Sequence, residues 1–233
     1  MFDAVNTALI TGGSRGLGLA LARSLAERGW RLVIDARGSE ALLEARDDLA
    51  KTTAIVAITG DVGEETHRRA MVEAAGESLA LLVNNASVLG PSPRPSLADY
   101  PLAELERAYS ANVLAPLRLA QLALPVLERN RGTLINITSD AAVEAYEGWG
   151  GYGSSKAALE QLTAVLATEH PALSVHAVDP GDMRTQMHQE AFPGEDISDR
   201  PEPEESVPGL LALIEGELPS GRYRVADLAE VRP

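Results

Sequence analysis

The chain has 233 residues, 45% of them hydrophobic, no cysteine and a formal charge of −14. The length fits one or two domains and the apolar fraction allows a sizeable core. The lack of cysteine excludes disulfides and thiolate chemistry, and the negative charge opposes binding to nucleic acid or an anionic membrane surface. The opening MFDAVNTALITGG carries no basic stretch, and no uninterrupted apolar run reaches the ~18 residues of a membrane span. A cytoplasmic protein is expected.

TALIT (7–11) reads as a buried strand. LALARSLAERG (19–29) places Leu21, Ala22 and Leu25 at helical spacing and ends on Gly29 as a C-cap. RLVIDA (31–36) is a second strand, followed by the helix SEALLEARDDLA (39–50) with Ser39 as N-cap. A strand at 54–61, a helix at 64–76 and a strand at 79–86 come next. The long helical stretch 102–129 contains Pro116 and Pro125, which should kink or split it. After it come a strand at 132–139, a helix at 154–170 ended by Pro171, a strand at 173–180 and a short seventh strand at 223–227. This alternation argues for an α/β fold: one doubly wound Rossmann-type domain over 1–233, with a parallel sheet of six to seven strands and helices on both faces. The acidic, proline-rich segment 193–209 reads as a mobile loop.

Two stretches carry chemistry. TGGSRGLG (11–18) joins the first strand to the first helix, with glycines at 12, 13, 16 and 18. Such a turn lets the backbone approach a pyrophosphate resting on the helix N-terminus, although the spacing differs from GxGxxG. In GWGGYGSSK, Tyr152 and Lys156 are four apart and share one face of a helix. A neighbouring ammonium favours the phenolate and lowers a phenol pKa from ~10. Taken singly, the first is a tight turn and the second a tyrosine resting on a lysine stem.

Taken in order, TGGSRGLG, NNA (84–86), Ser139, YGSSK (152–156) and PG (180–181) resemble the short-chain dehydrogenase/reductase family in its simple one-domain branch. Ser139 and Tyr152 are thirteen positions apart, as the family usually has them, and the resemblance runs from Thr7 to about Thr185. It implies Tyr152 as general acid/base, with Lys156 holding a nicotinamide ribose and lowering the tyrosine pKa. Ser139 would orient the carbonyl, and Asn112 would support a water linked to the lysine. It implies cofactor contacts from Gly12, Ser14, Arg15, Gly16, Leu17, Arg37, Asp61, Val62, Asn85, Ala86, Tyr152, Lys156, Pro180, Gly181 and Thr185. Asp61 would face the adenine. The plainer alternatives are a strand-end serine for Ser139, a helix-kink hydrogen bond for Asn112 and a turn residue for Asp61.

A carboxylate about 20 residues beyond the glycines selects NAD, and Asp35 lies near that distance. The family's usual register, eighteen beyond Gly18, instead points to Ala36, followed by Arg37. Arg37 and Arg15 suit a 2′-phosphate, so NADP is the preferred expectation; a one-residue slip restores Asp35 and NAD. Ser87 stands where the family has glycine and would be strained at a positive φ. Val88, Leu89, Tyr146, Trp149, Met183, Met187 and Phe192 are candidate pocket residues, each also readable as packing. His188 reads as a surface residue, residues 185–222 as an acidic substrate lid, and no cluster suggests a metal. The expected reaction is NADP-dependent interconversion of a small neutral carbonyl and an alcohol. Other readings are a non-catalytic NADP(H)-binding redox sensor and, within enzymes, an epimerase or dehydratase. The resemblance also implies a homodimer or homotetramer built through the helices at 102–129 and 154–170.

Overall fold

The computed structural model describes residues 5–228; the first four residues of the opening stretch lie outside them. The first half runs β1 (Thr7–Ile10), α1 (Gly16–Glu27), β2 (Arg31–Ala36), α2 (Ser39–Leu49), β3 (Ile55–Thr59), α3 (Glu65–Ala75) and β4 (Leu79–Asn84). The second runs α4 (Leu102–Tyr109), α5 (Ala115–Asn130), β5 (Thr133–Ile137), α6 (Gly150–Glu169), β6 (Ser174–Asp179), α7 (Gln186–Ala191), α8 (Val207–Glu215), β7 (Gly221–Arg224) and α9 (Val225–Leu228). The seven strands are parallel and ordered β3-β2-β1-β4-β5-β6-β7. The chain enters at the centre and winds outward to each edge in turn, so a crevice opens beyond the carboxyl ends of β1 and β4.

Strand alternation divides the core in two. Ile10, Ile34, Val83 and Ile137 face one layer with Leu21, Leu25 and Leu210, while Leu9, Val33, Leu82 and Leu134 face the other with Leu119, Leu127 and Leu166. Residues buried on both faces explain the near-continuous apolar strands.

The expected break in the long helical stretch falls at Ser110–Leu114, a π-helical turn just before Pro116, while Pro125 is accommodated inside α5. Proline lacks the amide that would bond the preceding turn, and a wide turn absorbs that loss. The combined run Leu102–Asn130 is long and apolar enough to span a bilayer, and half of its most apolar stretch is buried in the protein.

Several boundaries differ from expectation. α1 begins three residues early, because Gly16 and Gly18 belong to its first turn. α6 begins at Gly150 and takes in Gly151 and Gly153. Ser39 is not the cap of α2: Gly38 holds that place and no side chain caps the helix. The strand foreseen at 223–227 is β7 at Gly221–Arg224, and Val225 already starts α9. The segment 193–209 is not all loop, since Pro203–Ser206 form a 3-10 turn leading into α8. Nor is 185–222 wholly a lid, because Leu210 and Leu213 of α8 are core residues.

His176 on β6 is fully buried between Ile135 and Gly221, edge-on to Tyr223, and neither ring nitrogen has a hydrogen-bond partner. Burial pushes its pKa down to about 4. The unfolded chain binds this proton below about 6.5 and the folded chain does not until about 4. His176 therefore subtracts stability as pH falls through that window, by about 3 kcal/mol at most. His176→Leu is expected to gain on the wild type by that order between pH 6.5 and 4 in urea unfolding. A pH-independent difference between the two proteins would contradict it.

Candidate active site

The crevice is built first by the turn after β1. Gly12 has φ +67°, and a Cβ on Gly18 would lie 2.5 Å from the Gly12 carbonyl oxygen, so only glycine leaves this path open. α1 has no side-chain cap and no acidic residue in its first turn, which leaves its first amides open to an anion. Asn85 donates from Nδ2 to the Thr11 carbonyl at 2.8 Å, and the amides of Asn85 and Ala86 donate to Thr11 Oγ1 at 3.0 and 2.9 Å. Asn85 and Ala86 thus fix the turn to the end of β4.

Asp35 lines the cleft, with both carboxylate oxygens engaged within the chain. Its Oδ1 accepts the Gly12 amide at 2.8 Å and its Oδ2 meets His67 Nε2 at 2.9 Å. Both oxygens are occupied beneath the turn, and the residue is 1% exposed. Ala36 and Arg37 follow at the cleft edge, and Arg37 forms no ion pair among the described residues. Arg15 is bonded to Gln186 at the base of α7. Asp61 has the turn role, its Oδ1 accepting the Gly63 amide at 2.8 Å while it lines the cleft beside Val62.

Tyr152 and Lys156 lie one turn apart on α6, with Lys156 Nζ 5.5 Å from the phenol ring centre. The glycines before them serve packing against protein rather than approach to a ligand. A Cβ on Gly151 would lie 2.3 Å from the Tyr100 ring and one on Gly153 2.5 Å from the Ala141 carbonyl oxygen. Close contact with those neighbours fixes the first turn of α6. Lys156 is 2% exposed and donates to the Ile137 carbonyl at 2.8 Å. Burial pushes its pKa down to about 7, against an upward pull from Glu160.

The expected lowering of the tyrosine pKa is not what the substrate-free protein has. Burial pushes Tyr152 above the ordinary phenol range, and Asp179 and Asp140 add to the rise. The Ser87 and Ser139 hydroxyls pull the other way. Burial that removes water from the phenol disfavours the charged phenolate and sets the direction of the shift.

Ser139 lies two residues beyond β5 and donates to Asp140 Oδ1 at 2.8 Å, with its oxygen accepting the Ala141 amide at 3.2 Å. Asn112 sits in the π turn. Its Oδ1 accepts Ser87 Oγ at 3.1 Å and the Val88 amide at 2.8 Å, while its Nδ2 donates to the Val88 carbonyl and to Ser155 Oγ, both at 2.9 Å. With two bonds accepted and two donated, this side chain has no polar capacity left for a water; it braces the loop after β4 against α6. Ser87 is free of the feared strain, since Arg131 is the non-glycine residue with positive φ among the described residues.

Pro180, Gly181 and Thr185 follow β6 into the cleft, and Thr185 caps α7 by accepting the His188 amide at 3.2 Å. All seven pocket candidates line the same space, and Trp149 packs edgewise on Tyr152 with ring centres 5.8 Å apart. His188 is not a surface residue: its side chain is 10% exposed and its ring lies 4.8 Å from that of Phe192.

The glycine turn, the Tyr152–Lys156 pair and this apolar wall border one continuous cleft of about 1730 Å³. Ordinary small-molecule pockets hold roughly 300–1,000 Å³, so the cleft admits a dinucleotide and a substrate together. Ser14, Gly16 and Leu17 line the cleft at the glycine turn. A family model for short chain dehydrogenase matches residues 6–196, and the chain belongs to that family of oxidoreductases. It is 37% identical over 191 residues to a rhamnolipid-biosynthesis 3-oxoacyl-[acyl-carrier-protein] reductase of Pseudomonas aeruginosa, covering 77% of this chain and 73% of that one. It is 32% identical over 197 residues to sepiapterin reductase of Rattus norvegicus, covering 78% and 75%. A short chain dehydrogenase structure from Pseudomonas syringae superposes with a TM-score of 0.88 at 28% identity, over 94% of each chain.

Three features were missed in the sequence. Asp140 accepts the Tyr146 phenol at 3.0 Å on the cleft wall, and the acid after a strand-end serine reads as plain loop. The Arg94 guanidinium stacks 4.0 Å from the Trp149 ring and 4.9 Å from Phe192, bracing the apolar wall from behind. The third is the Asp35–His67 pair, whose members are 32 residues apart, so no local pattern marks it. Asp35→Asn is expected to cost about 1–3 kcal/mol in chemical denaturation, because it disturbs a buried, doubly bonded carboxylate. Any preference between the two nicotinamide dinucleotides should stay where it was; a swing in that preference would return Asp35 to the selecting role.

Proposed function

We propose that this protein is an NADP-dependent reductase that interconverts a carbonyl and a primary or secondary alcohol, with Tyr152 as general acid/base. The observation that carries the proposal is the convergence of Tyr152, Lys156 and Ser139 in one cleft with the glycine turn. The turn fits a dinucleotide on its own geometry, because the α1 amides are uncapped and Ser14, Gly16 and Leu17 beside them border the cleft. When bound, the dinucleotide supplies or accepts the hydride.

The chain's own residues handle the proton and the oxygen. A phenol held above its ordinary range is protonated at neutral pH, so Tyr152 is ready to give its proton to a carbonyl oxygen. The Ser139 hydroxyl, now on Asp140, is the second donor for the developing alkoxide. Lys156 would hold the nicotinamide ribose. Asp61 and Val62 would border the adenine, and Pro180, Gly181 and Thr185 the nicotinamide end. Arg37 has no competing ion pair among the described residues and, with Arg15, supports a 2′-phosphate over a free 2′-hydroxyl. Trp149, Phe192, Met187 and Val88 favour a neutral, apolar carbonyl compound. We place the protein in the cytoplasm. We also infer a homodimer or homotetramer through α4–α6, where Leu102, Leu114 and Val165 are exposed.

The test is oxidation of NADPH and of NADH with benzaldehyde, acetophenone, benzil and phenanthrenequinone. NADPH is expected to be the better donor, and Arg37→Ala to erode that preference about tenfold or more. Tyr152→Phe should lower turnover by roughly 10²–10⁴-fold without loss of cofactor binding. Tight NADPH binding with no turnover of any carbonyl would contradict the proposal and favour a sensor.

A further inference from the structure

We infer that Arg222, on the last strand, is a positioning residue for Lys156: it holds the Glu160 carboxylate aside, so that Lys156 keeps its ammonium protons for a ligand. The inference rests on the reductase reading above for the ligand, and on contacts within the chain for the rest. Arg222 lies outside residues 6–196, which the family model matches.

Lys156 and Glu160 are four apart on α6, a spacing that sets opposite charges side by side on a helix face. Their side chains engage consecutive residues at the end of β5. Lys156 Nζ donates to the Ile137 carbonyl at 2.8 Å, and Thr138 Oγ1 donates to Glu160 Oε1 at 2.7 Å. No ion pair joins Lys156 and Glu160 among the described residues. A buried ammonium one turn from a carboxylate ordinarily pairs with it.

Arg222 accounts for the missing pair. Its Nε donates to Glu160 Oε1 at 2.9 Å, and its Nη2 reaches the Asp179 carboxylate at 3.5 Å and the Ser139 carbonyl at 3.4 Å. Arg222 and Ala177, partners across β6 and β7, line a small cavity with Ala157 and Ala164 of α6. The guanidinium therefore comes to Glu160 from the sheet, and Thr138 and Arg222 hold the same carboxylate oxygen.

The other titratable groups on and around α6 are placed otherwise. Asp140 after β5 accepts from Ser139 and Tyr146, Asp179 on β6 accepts the Gly181 amide, and Glu104 and Arg107 on α4 pair with each other. Tyr152 on α6 stays protonated, and Arg224 on β7 is exposed. Glu160 is the carboxylate that acts on Lys156, and its upward pull is smaller than the downward effect of burial. An ammonium has three protons to donate, and the Ile137 carbonyl takes one. Lys156 lines the cleft, so the others are left for a ribose. A Glu160 carboxylate turned onto the ammonium would occupy one of them and hold the charge in place.

The test compares Arg222→Met, Arg222→Lys, Glu160→Gln and the double variant Arg222→Met/Glu160→Gln. Arg222 is on the edge strand with 29% of its side chain exposed, so its replacement spares the core. The first measurement is the ¹³Cε titration of Lys156 without cofactor. Arg222→Met is expected to raise the midpoint from about 7 by roughly one pH unit or more, and Arg222→Lys to hold it near the wild-type value. Glu160→Gln alone, which leaves Arg222 in place, is expected to lower it. Arg222→Met should then move it little in the Glu160→Gln background. The same rise in both backgrounds is the direct field of a lost arginine and overturns the inference. So does a midpoint unmoved by Arg222→Met or by Glu160→Gln. The second measurement is NADPH binding, followed by its fluorescence. Arg222→Met is expected to weaken it about tenfold, the scale of one hydrogen bond to a charged group, and the double variant to restore it. Equal weakening in both overturns the inference. A wild type that binds no NADPH, with the midpoints moving as expected, upholds the hold on Glu160 and overturns the reductase reading instead.

Discussion

The site depends on the burial of a single ammonium group. Lys156 is 2% exposed, and the Ile137 carbonyl at 2.8 Å is its hydrogen-bond partner within the chain. A long charged side chain is seldom placed this deep without a paired carboxylate. Here the offset is a pKa drawn down to about 7, which lets the group shed its charge near neutrality. The depth comes from the approach of α6 to its neighbours, which requires glycine at 151 and 153. The same approach buries Tyr152 and raises its pKa. Proton donor and charged neighbour are thus tuned by one packing event, in opposite directions from their ordinary values.

That coupling suits a site completed by a ligand. Burial keeps the proton on Tyr152 and eases its loss from Lys156. The residues that could favour a phenolate, Ser87 and Ser139, donate their protons to Asn112 and Asp140. The cofactor end is stiffer. Gly12, Asp35 and His67 form one buried chain under the phosphate turn, and Thr11 is bonded to both Asn85 and Ala86.

Much of this was legible in the sequence because it is local. Strand–helix alternation gave the doubly wound sheet, and Tyr152, Lys156 and the glycine turn were legible through the order and spacing of five short motifs taken together. The pocket residues were legible because they fall on the loops after β4, β5 and β6, which the topology brings to one end of the sheet. What escaped depends on distance in sequence or on burial. Asp35 was legible only as the carboxylate of the alternative NAD register, because its partners Gly12 and His67 are far from it in sequence. The bracing role of the Asn112 side chain was hidden because its four hydrogen bonds reach Ser87, Val88 and Ser155, far from it in sequence. The sign of the Tyr152 shift was missed because a sequence shows which charges are near but not how far water is excluded. The 207–215 helix was hidden behind an acidic, proline-rich lead-in that resembles loop.

The most direct measurement is the ionisation of Lys156 itself. The chain contains two lysines, Lys51 and Lys156, so ¹³Cε-lysine NMR yields two resonances, and Lys156→Met assigns them. A titration midpoint for Lys156 near 7 in the free protein is expected from its burial. A midpoint near the ordinary lysine value of ~10.4 would show that water or a carboxylate reaches the ammonium. The account of one burial tuning both groups would then be wrong.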